Sequence, residues 1–414
     1  MLNQPTLPNY IQLRDYQLEA LENWKANNYI GFFEMATGTG KTITALNCAL
    51  ELYETDGYLQ LIILVPTITL ATQWAEEAEN FNFDNIIIAN SANKKWLKQV
   101  TSVINLSFFS NPNVTIITTY ATFITPNFQS VVNAFSRDVC LIADEAHNFG
   151  TARHIAKYPR KFKRRIGLSA TPKRHFDEEE TEKLLDFFGA ANGVTFEFGM
   201  QKAIDNGFLC KYFYYPYPVY LTDDEMEDYI IISKKLLKFF NPATKRFKEN
   251  PVVTRLLLRR KSIIHKAAYK LNCFRTILRK LTQEQEELKY TLVYVPEGIS
   301  QTENTESAKI IDEYATVISK EFNLNQHQFT GETKHRDTIL KQFSKGTLNI
   351  LTAMKCLDEG IAVKRTEIAI FGASTSNPRQ FIQRRGRVLR THPDNATKKM
   401  GCGFIVLSRI IASF

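Results

Sequence analysis

Ala36-Thr37-Gly38-Thr39-Gly40-Lys41-Thr42 gathers two glycines, one lysine and three threonines into seven residues. Glycine lets backbone N–H groups wrap a phosphate, and a helix that opens at the lysine adds a dipole favourable to anions. Lys41 can reach β- and γ-phosphates, and the Thr42 hydroxyl can ligate Mg²⁺. Met35 stands where the full G-x-x-x-x-G-K-[ST] pattern has its first glycine, so the strict motif is incomplete. Farther along, Asp144-Glu145-Ala146-His147 follows the apolar run VCLIA. An acid in that place can hold Mg²⁺, directly or through water, which assigns Asp144 to the metal. Glu145 would then orient or deprotonate an attacking water, a role worth about 10²- to 10⁴-fold. Two adjacent acids after a strand can also serve as helix caps; beside a phosphate loop the hydrolytic reading is the stronger one.

Three more segments extend the pattern. Arg14-Asp15-Tyr16-Gln17 precedes the glycine loop, and Ser169-Ala170-Thr171-Pro172 follows the acidic pair. Gln383-Arg384-Arg385-Gly386-Arg387-Val388-Leu389-Arg390 comes last. With all five in this order, the chain resembles the motor core of superfamily 2 helicases and translocases. LRDYQ, GLSATP and QFIQRRGRVLR most resemble the XPB-like and restriction-enzyme branch. The resemblance covers nearly the whole chain. It implies an α/β fold of two tandem RecA-like domains, with ATP and Mg²⁺ as cofactors and hydrolysis in the cleft between the domains.

The resemblance also implies roles for matching residues. Gln17 would read the adenine edge with Arg14 nearby, and Thr37, Gly38, Thr39, Gly40, Lys41 and Thr42 would cradle the phosphates. His147 and Gln383 would couple nucleotide state to domain closure, with Ser169 and Thr171 linking hydrolysis to strand movement. Arg387 and Arg390 would complete the site from the second domain, where a guanidinium stabilises charge developing on the transferring phosphoryl group. Val65-Pro66-Thr67, Thr118-Thr119, Phe329-Thr330-Gly331 and Thr352 match places where the family contacts the nucleic-acid backbone. Hydroxyls at strand ends suit that contact, although threonine at a strand end is also commonplace. Ala362 departs from the pattern, since many relatives carry Asp there, and puts the ribose contact of that position in doubt.

These groups need elements to hold them. Apolar runs at 30–33, 61–65, 85–89, 114–118, 139–143 and 166–169 read as parallel strands buried on both faces, alternating with helical patterns. The rhythm breaks at 190–212. A helical block then covers about 223–289, and a second series of strands falls at 291–295, 328–329, 348–351, 367–371 and 404–407. The expected division is a RecA-like ATP-binding domain over 1–205 and a second RecA-like domain over 206–414, carrying a basic helical insertion. The aromatic run YFYYPYPVY suits a strand entering the second domain, and its two prolines favour a sheet edge.

Charge points to a partner. Fifteen Lys/Arg and one acid between residues 234 and 280 net +14, against +9 for the whole chain, so the remainder is acidic. One helix is expected over 255–281, burying an apolar face and presenting Arg259, Arg260, Lys266, Lys270 and Lys280. A solvated face is the plain reading; the lopsided block favours nucleic-acid contact. DNA is favoured over RNA on branch resemblance, with an RNA helicase or a nucleic-acid-stimulated ATPase that remodels a protein partner as alternatives.

Composition excludes other classes. At 414 residues, 44% hydrophobic and 23% charged, the chain reads as globular and is long enough for two cores. No run approaches the roughly 18–20 apolar residues of a membrane span, and no secretory leader is visible. The six cysteines form no C-x-x-C pair, which argues against zinc, iron–sulfur or disulfide frameworks and for a reducing cytoplasm. Between the first motif at Arg14 and the last at Arg390 the whole chain is motor. Sequence-independent binding is therefore expected, with targeting supplied by another subunit, a C-terminal region or nucleic-acid shape.

Overall fold

A computed structural model describes residues 4–106, 113–135, 138–172, 178–242, 246–248, 250–296, 310–354, 363, 365–372, 385–386, 388–389 and 402–409. The chain divides into two compact units, Met1–Leu209 and Cys210–Phe414.

The first unit is built on β1 (Ile30–Met35), β2 (Gln60–Val65), β3 (Ile86–Ala89), β4 (Val114–Thr119), β5 (Cys140–Asp144), β6 (Arg164–Ser169) and β7 (Phe196–Phe198). They form one sheet in the order β3-β4-β2-β5-β6-β1-β7, and every neighbouring pair is parallel. Every residue of β2, β4 and β5 is buried. Unbroken Ile, Leu and Val runs meet that demand, because helices cover both faces of a parallel sheet. Phe32, Ile62, Leu64, Ile116 and Leu141 pack with Phe123, Phe128 and Phe149 in the core. The order makes β5, β6 and β1 neighbours, so the residues that follow them share the carboxyl edge, where such sheets receive ligands. β7 lies inside the stretch read from sequence as a break. Three residues are too few to show a period, and it pairs only at the outer side of β1.

The second unit holds β8 (Tyr212–Val219), β9 (Phe240–Asn241), β10 (Arg246–Phe247), β11 (Thr291–Tyr294), β12 (Gln326–Phe329), β13 (Ile350–Ala353), β14 (Ile368–Phe371) and β15 (Cys402–Arg409). Its main sheet runs β12-β13-β11-β14-β15-β8, again parallel throughout. β8 sits at the edge, as its prolines predict, with Phe213, Tyr214 and Tyr215 exposed. β9 and β10 form a separate antiparallel pair between the helices Asp223–Leu237 and Pro251–His265. Ile232, Leu236 and Val253 give those helices a small core of their own.

One expectation is corrected here. The single helix over 255–281 is two helices, Pro251–His265 and Tyr269–Glu284. No proline or glycine breaks it. Glu225, in the capping box of the helix Asp223–Leu237, accepts the Ala268 N–H at 2.9 Å and so diverts a donor from the helical ladder. Among the described residues, no helix is long and apolar enough to cross a membrane.

Candidate active site

The glycine loop leaves β1 and enters the helix Lys41–Asp56. Gly38 and Gly40 have φ of +91° and +85°, a left-handed backbone that side chains resist. A Cβ on Gly40 would also lie 2.9 Å from Gln17 Nε2. Thr39 is fully buried and donates to the Ala36 carbonyl, so its side chain shapes the loop from inside. Thr37 Oγ1 is buried without a hydrogen-bond partner, which fits a loop built to meet a polar ligand. These features suit a phosphate chain.

Lys41 Nζ lies 3.3 Å from Glu145 Oε1, with both side chains largely buried. The acidic pair ends β5. Asp144 is buried; Oδ2 accepts from Trp74 Nε1 at 2.9 Å, and Oδ1 accepts the Glu145 N–H at 2.9 Å. Burial, then the adjacent Glu145 charge, raise the Asp144 carboxyl above its ordinary range, while Lys41 and the Trp74 hydrogen bond pull the other way. Glu145 takes a left-handed φ of +47°, which costs a side chain roughly 1–3 kcal/mol and sits where function concentrates such strain. That turn carries its carboxylate between Lys41 and His147, whose Nδ1 is 3.5 Å from Oε2. His147 Nδ1 also lies 3.2 Å from Ser169 Oγ at the end of β6, and Ser169 Oγ accepts the Thr171 N–H at 3.1 Å. The ends of β1, β5 and β6 thus bring Lys41, Asp144, Glu145, His147, Ser169 and Thr171 together. Hard oxygen donors, a carboxylate at Asp144 and a hydroxyl at Thr42, are the set that Mg²⁺ takes.

Gln17 is buried, and both ends of its amide have internal partners. Oε1 accepts the Arg14 N–H, and Nε2 donates to Thr44 Oγ1 at 3.1 Å and to the Gly40 carbonyl at 3.4 Å. Its amide therefore braces the glycine loop. Arg14 donates to the Tyr16 hydroxyl and lies 4.1 Å from the centre of the Phe208 ring; Tyr16 stacks on Phe198 at 3.9 Å. Sequence reading gave no role to Trp74, Phe198 or Phe208, nor to Tyr16 within its motif. A buried indole N–H requires a partner, yet nothing in the sequence says that Trp74 finds it at Asp144.

The strand-end threonines are mostly engaged locally. Pro66 and Thr67 are half-buried, and Thr67 caps the helix Ile68–Asn80. Thr119 caps the short helix Tyr120–Phe123. Thr330 and Gly331 offer their carbonyls to Arg336. Thr352 is a correction: it is fully buried, with its hydroxyl directed to Gln326 and the His327 carbonyl, so it presents no surface to a phosphate.

The basic block is not one surface. Lys270 is buried and donates to the Gly372 carbonyl at 2.8 Å, which overturns its expected exposure. Arg275 forms a bidentate pair with Glu321. Exposed cations concentrate on the first helix pair, at Lys234, Lys235, Arg255, Arg259 and Lys261; Arg260 lies over the Tyr229 ring and Lys266 is half-buried. Gln383, Arg387 and Arg390 lie outside the described residues. Their neighbour Arg385 donates to the Tyr212 hydroxyl, and Leu389 accepts the Cys210 N–H.

Comparison with known proteins accords with this geometry. Residues 10–174 match the family described as Type III restriction enzyme, res subunit, and residues 270–392 match the helicase conserved C-terminal domain. The chain is 26% identical over 407 residues to the DNA 3′-5′ translocase XPB2 of Sulfurisphaera tokodaii, covering 93% of this chain and 80% of the relative. Across the curated relatives it matches, the chain spans from 51% to 80% of their length. Many solved structures share its fold. The ATP-dependent Type ISP restriction-modification enzyme LlaBIII bound to DNA has a TM-score of 0.61 at 18% identity, over 97% of this chain and 28% of the other. The Hef helicase domain of Pyrococcus furiosus has a TM-score of 0.57 at 16% identity, over 99% and 97%. The two α/β units are therefore RecA-like helicase domains. With both family matches and the motifs in order, this chain belongs to superfamily 2 of the helicases and translocases, nucleic-acid-dependent ATPases, on the XPB-like and restriction-enzyme branch.

Proposed function

We propose that this chain is an ATP- and Mg²⁺-dependent DNA translocase or helicase, with the ATP-binding helicase domain over 1–205 and the second helicase domain over 206–414. The observation that carries the reading is the convergence of Lys41, Asp144, Glu145, His147 and Ser169 at the ends of three adjacent strands. Lys41 and the left-handed glycines bind and orient the phosphates, Asp144 and Thr42 hold the metal, and Glu145 takes the proton from the attacking water. Bound there, Mg²⁺ supplies charge neutralisation to the β- and γ-phosphates. Arg387 and Arg390 add guanidinium charge to the transferring phosphoryl group. DNA is the substrate favoured by the translocase to which the chain is similar. Pro66, Thr67, Thr330, Gly331 and the cations Arg259, Arg260 and Lys266 are the surfaces offered to it; Thr119, buried with its hydroxyl spent on Thr122, offers none. Cysteines spaced without a C-x-x-C motif suit an intracellular setting, and a protein subunit supplies targeting.

ATP turnover measured with single-stranded DNA, duplex DNA and RNA tests the reading, with strand- and triplex-displacement assays beside it. DNA-stimulated turnover with displacement of either kind is expected. Stimulation by RNA alone would move the substrate to RNA, and turnover indifferent to all three would refute the motor.

A further inference from the structure

Resting on the motor reading, a second question is how strand contact reaches the nucleotide. Two strand ends each start a helix capped by the threonine at that end, half-buried at Thr67 and buried at Thr119. Thr67 accepts the Leu70 N–H at 3.3 Å, and Thr119 accepts the Thr122 N–H at 3.3 Å. Both helices send one aromatic side chain to the same residue. From the helix Ile68–Asn80, Trp74 Nε1 donates to Asp144 Oδ2 at 2.9 Å. From the helix Tyr120–Phe123, the Tyr120 hydroxyl donates to the Asp144 backbone carbonyl at 2.7 Å.

Both rings are locked in packing, Trp74 at 1% exposure and Tyr120 at 5%. A side chain so enclosed moves with its helix and not separately. Trp74 stands seven positions beyond Thr67, about 10 Å along the helix at about 1.5 Å per residue. Hydrogen bonds of 2.7 and 2.9 Å sit at the usual distance, and they weaken as the donor is displaced or turned out of line. A small shift of either helix therefore registers at Asp144, whose remaining carboxylate oxygen is fixed by its own neighbour, Glu145.

We propose that Trp74 and Tyr120 are positioning residues through which nucleic-acid contact at Pro66 and Thr67, and at the exposed Ala121 and half-buried Thr122 of the helix that the buried Thr119 starts, sets the orientation of Asp144, so that strand binding and nucleotide binding are energetically coupled.

The test measures equilibrium affinity of the full chain for a fluorescent ATP analogue with Mg²⁺, with and without saturating duplex DNA. Wild type is compared with Trp74→Phe, Tyr120→Phe and the double variant. The wild-type affinity ratio is expected to be at least about fivefold, within the usual range of allosteric coupling. Each single variant lowers it, and the double variant brings it to within about twofold of unity, since coupling is reciprocal and needs the shared element. Thermal unfolding checks that the variants are folded. Tyr120→Phe removes a single oxygen and carries the test alone should Trp74→Phe unfold. Folded variants that keep the wild-type ratio overturn the proposal. A wild-type chain whose nucleotide affinity ignores DNA also overturns it; DNA-stimulated turnover in that chain would leave the motor reading standing.

Discussion

Replacing Lys270 with Met should change how stability depends on pH. The Lys270 ammonium is buried beneath β14, where it donates to the Gly372 carbonyl, eleven positions before Gln383 in sequence. Burial lowers its pKa from 10.5 to about 8, with Glu225 pulling weakly in the opposite direction. At about 1.4 kcal/mol per pH unit, that shift corresponds to a penalty on the order of 3 kcal/mol for holding the charged form in the fold. The unfolded chain binds more protons than the folded one between about pH 8 and 10.5. Wild-type stability should therefore rise with pH across that window, carry the full penalty below it and none above it. Lys270→Met removes the charge but leaves the Gly372 carbonyl without its donor, at a cost of about 1–3 kcal/mol. The variant should be about as stable as wild type, or more so, at neutral pH and less stable in alkali, a swing on the order of 3 kcal/mol. Urea unfolding of both full chains at several pH values reads it, and taking variant minus wild type cancels the titrations they share. A difference that stays flat across the window would refute the reasoning.

Glu145→Gln should lower turnover by about 10²- to 10⁴-fold while sparing ATP binding, and Lys41→Ala should abolish turnover with loss of binding; steady-state ATPase assays and nucleotide titration separate them, and normal turnover in either variant defeats the site assignment. Arg387→Ala and Arg390→Ala should each cut kcat by about 10³- to 10⁵-fold with less effect on nucleotide affinity. Loss of affinity with kcat intact would show that those arginines serve binding alone. Reversing Arg259, Arg260 and Lys266 to Glu should weaken DNA binding irrespective of sequence and flatten its salt dependence, each lost phosphate contact removing roughly 0.7–0.9 from the log–log slope; an unchanged slope would return these cations to a solvated face.

Local chemistry made much of this legible, and long-range partnership hid the rest. The strands of the first sheet announce themselves because unbroken apolar runs are what two covered faces require; β2, β4 and β5 are buried at every residue. The glycine loop was readable for the same reason, since Gly38 and Gly40 adopt backbone angles that the motif exists to permit. What sequence could not give were bonds across the fold. The break between the helices Pro251–His265 and Tyr269–Glu284 comes from Glu225, 43 positions from Ala268, so no propensity marks it. Lys270 falls in the basic block by composition and inside the core by position. Trp74 carries no local signal of its role, because its partner, Asp144, lies 70 positions away.

The groups of the nucleotide site are already partnered with one another, and that arrangement bears on how binding leads to chemistry. An unpaired charge in a partly buried site is costly, so Lys41 and Glu145 stabilise each other at 3.3 Å. On the motor reading, a phosphate that draws Lys41 away replaces one anion with another for the lysine and ends the Lys41 contact of Glu145 Oε1. Glu145 then keeps His147 beside Oε2 at 3.5 Å. On that reading, phosphate binding and the role proposed for Glu145 are linked by one exchange of partners. His147, held between Glu145 and Ser169 at the end of β6, is the side chain that feels that exchange next.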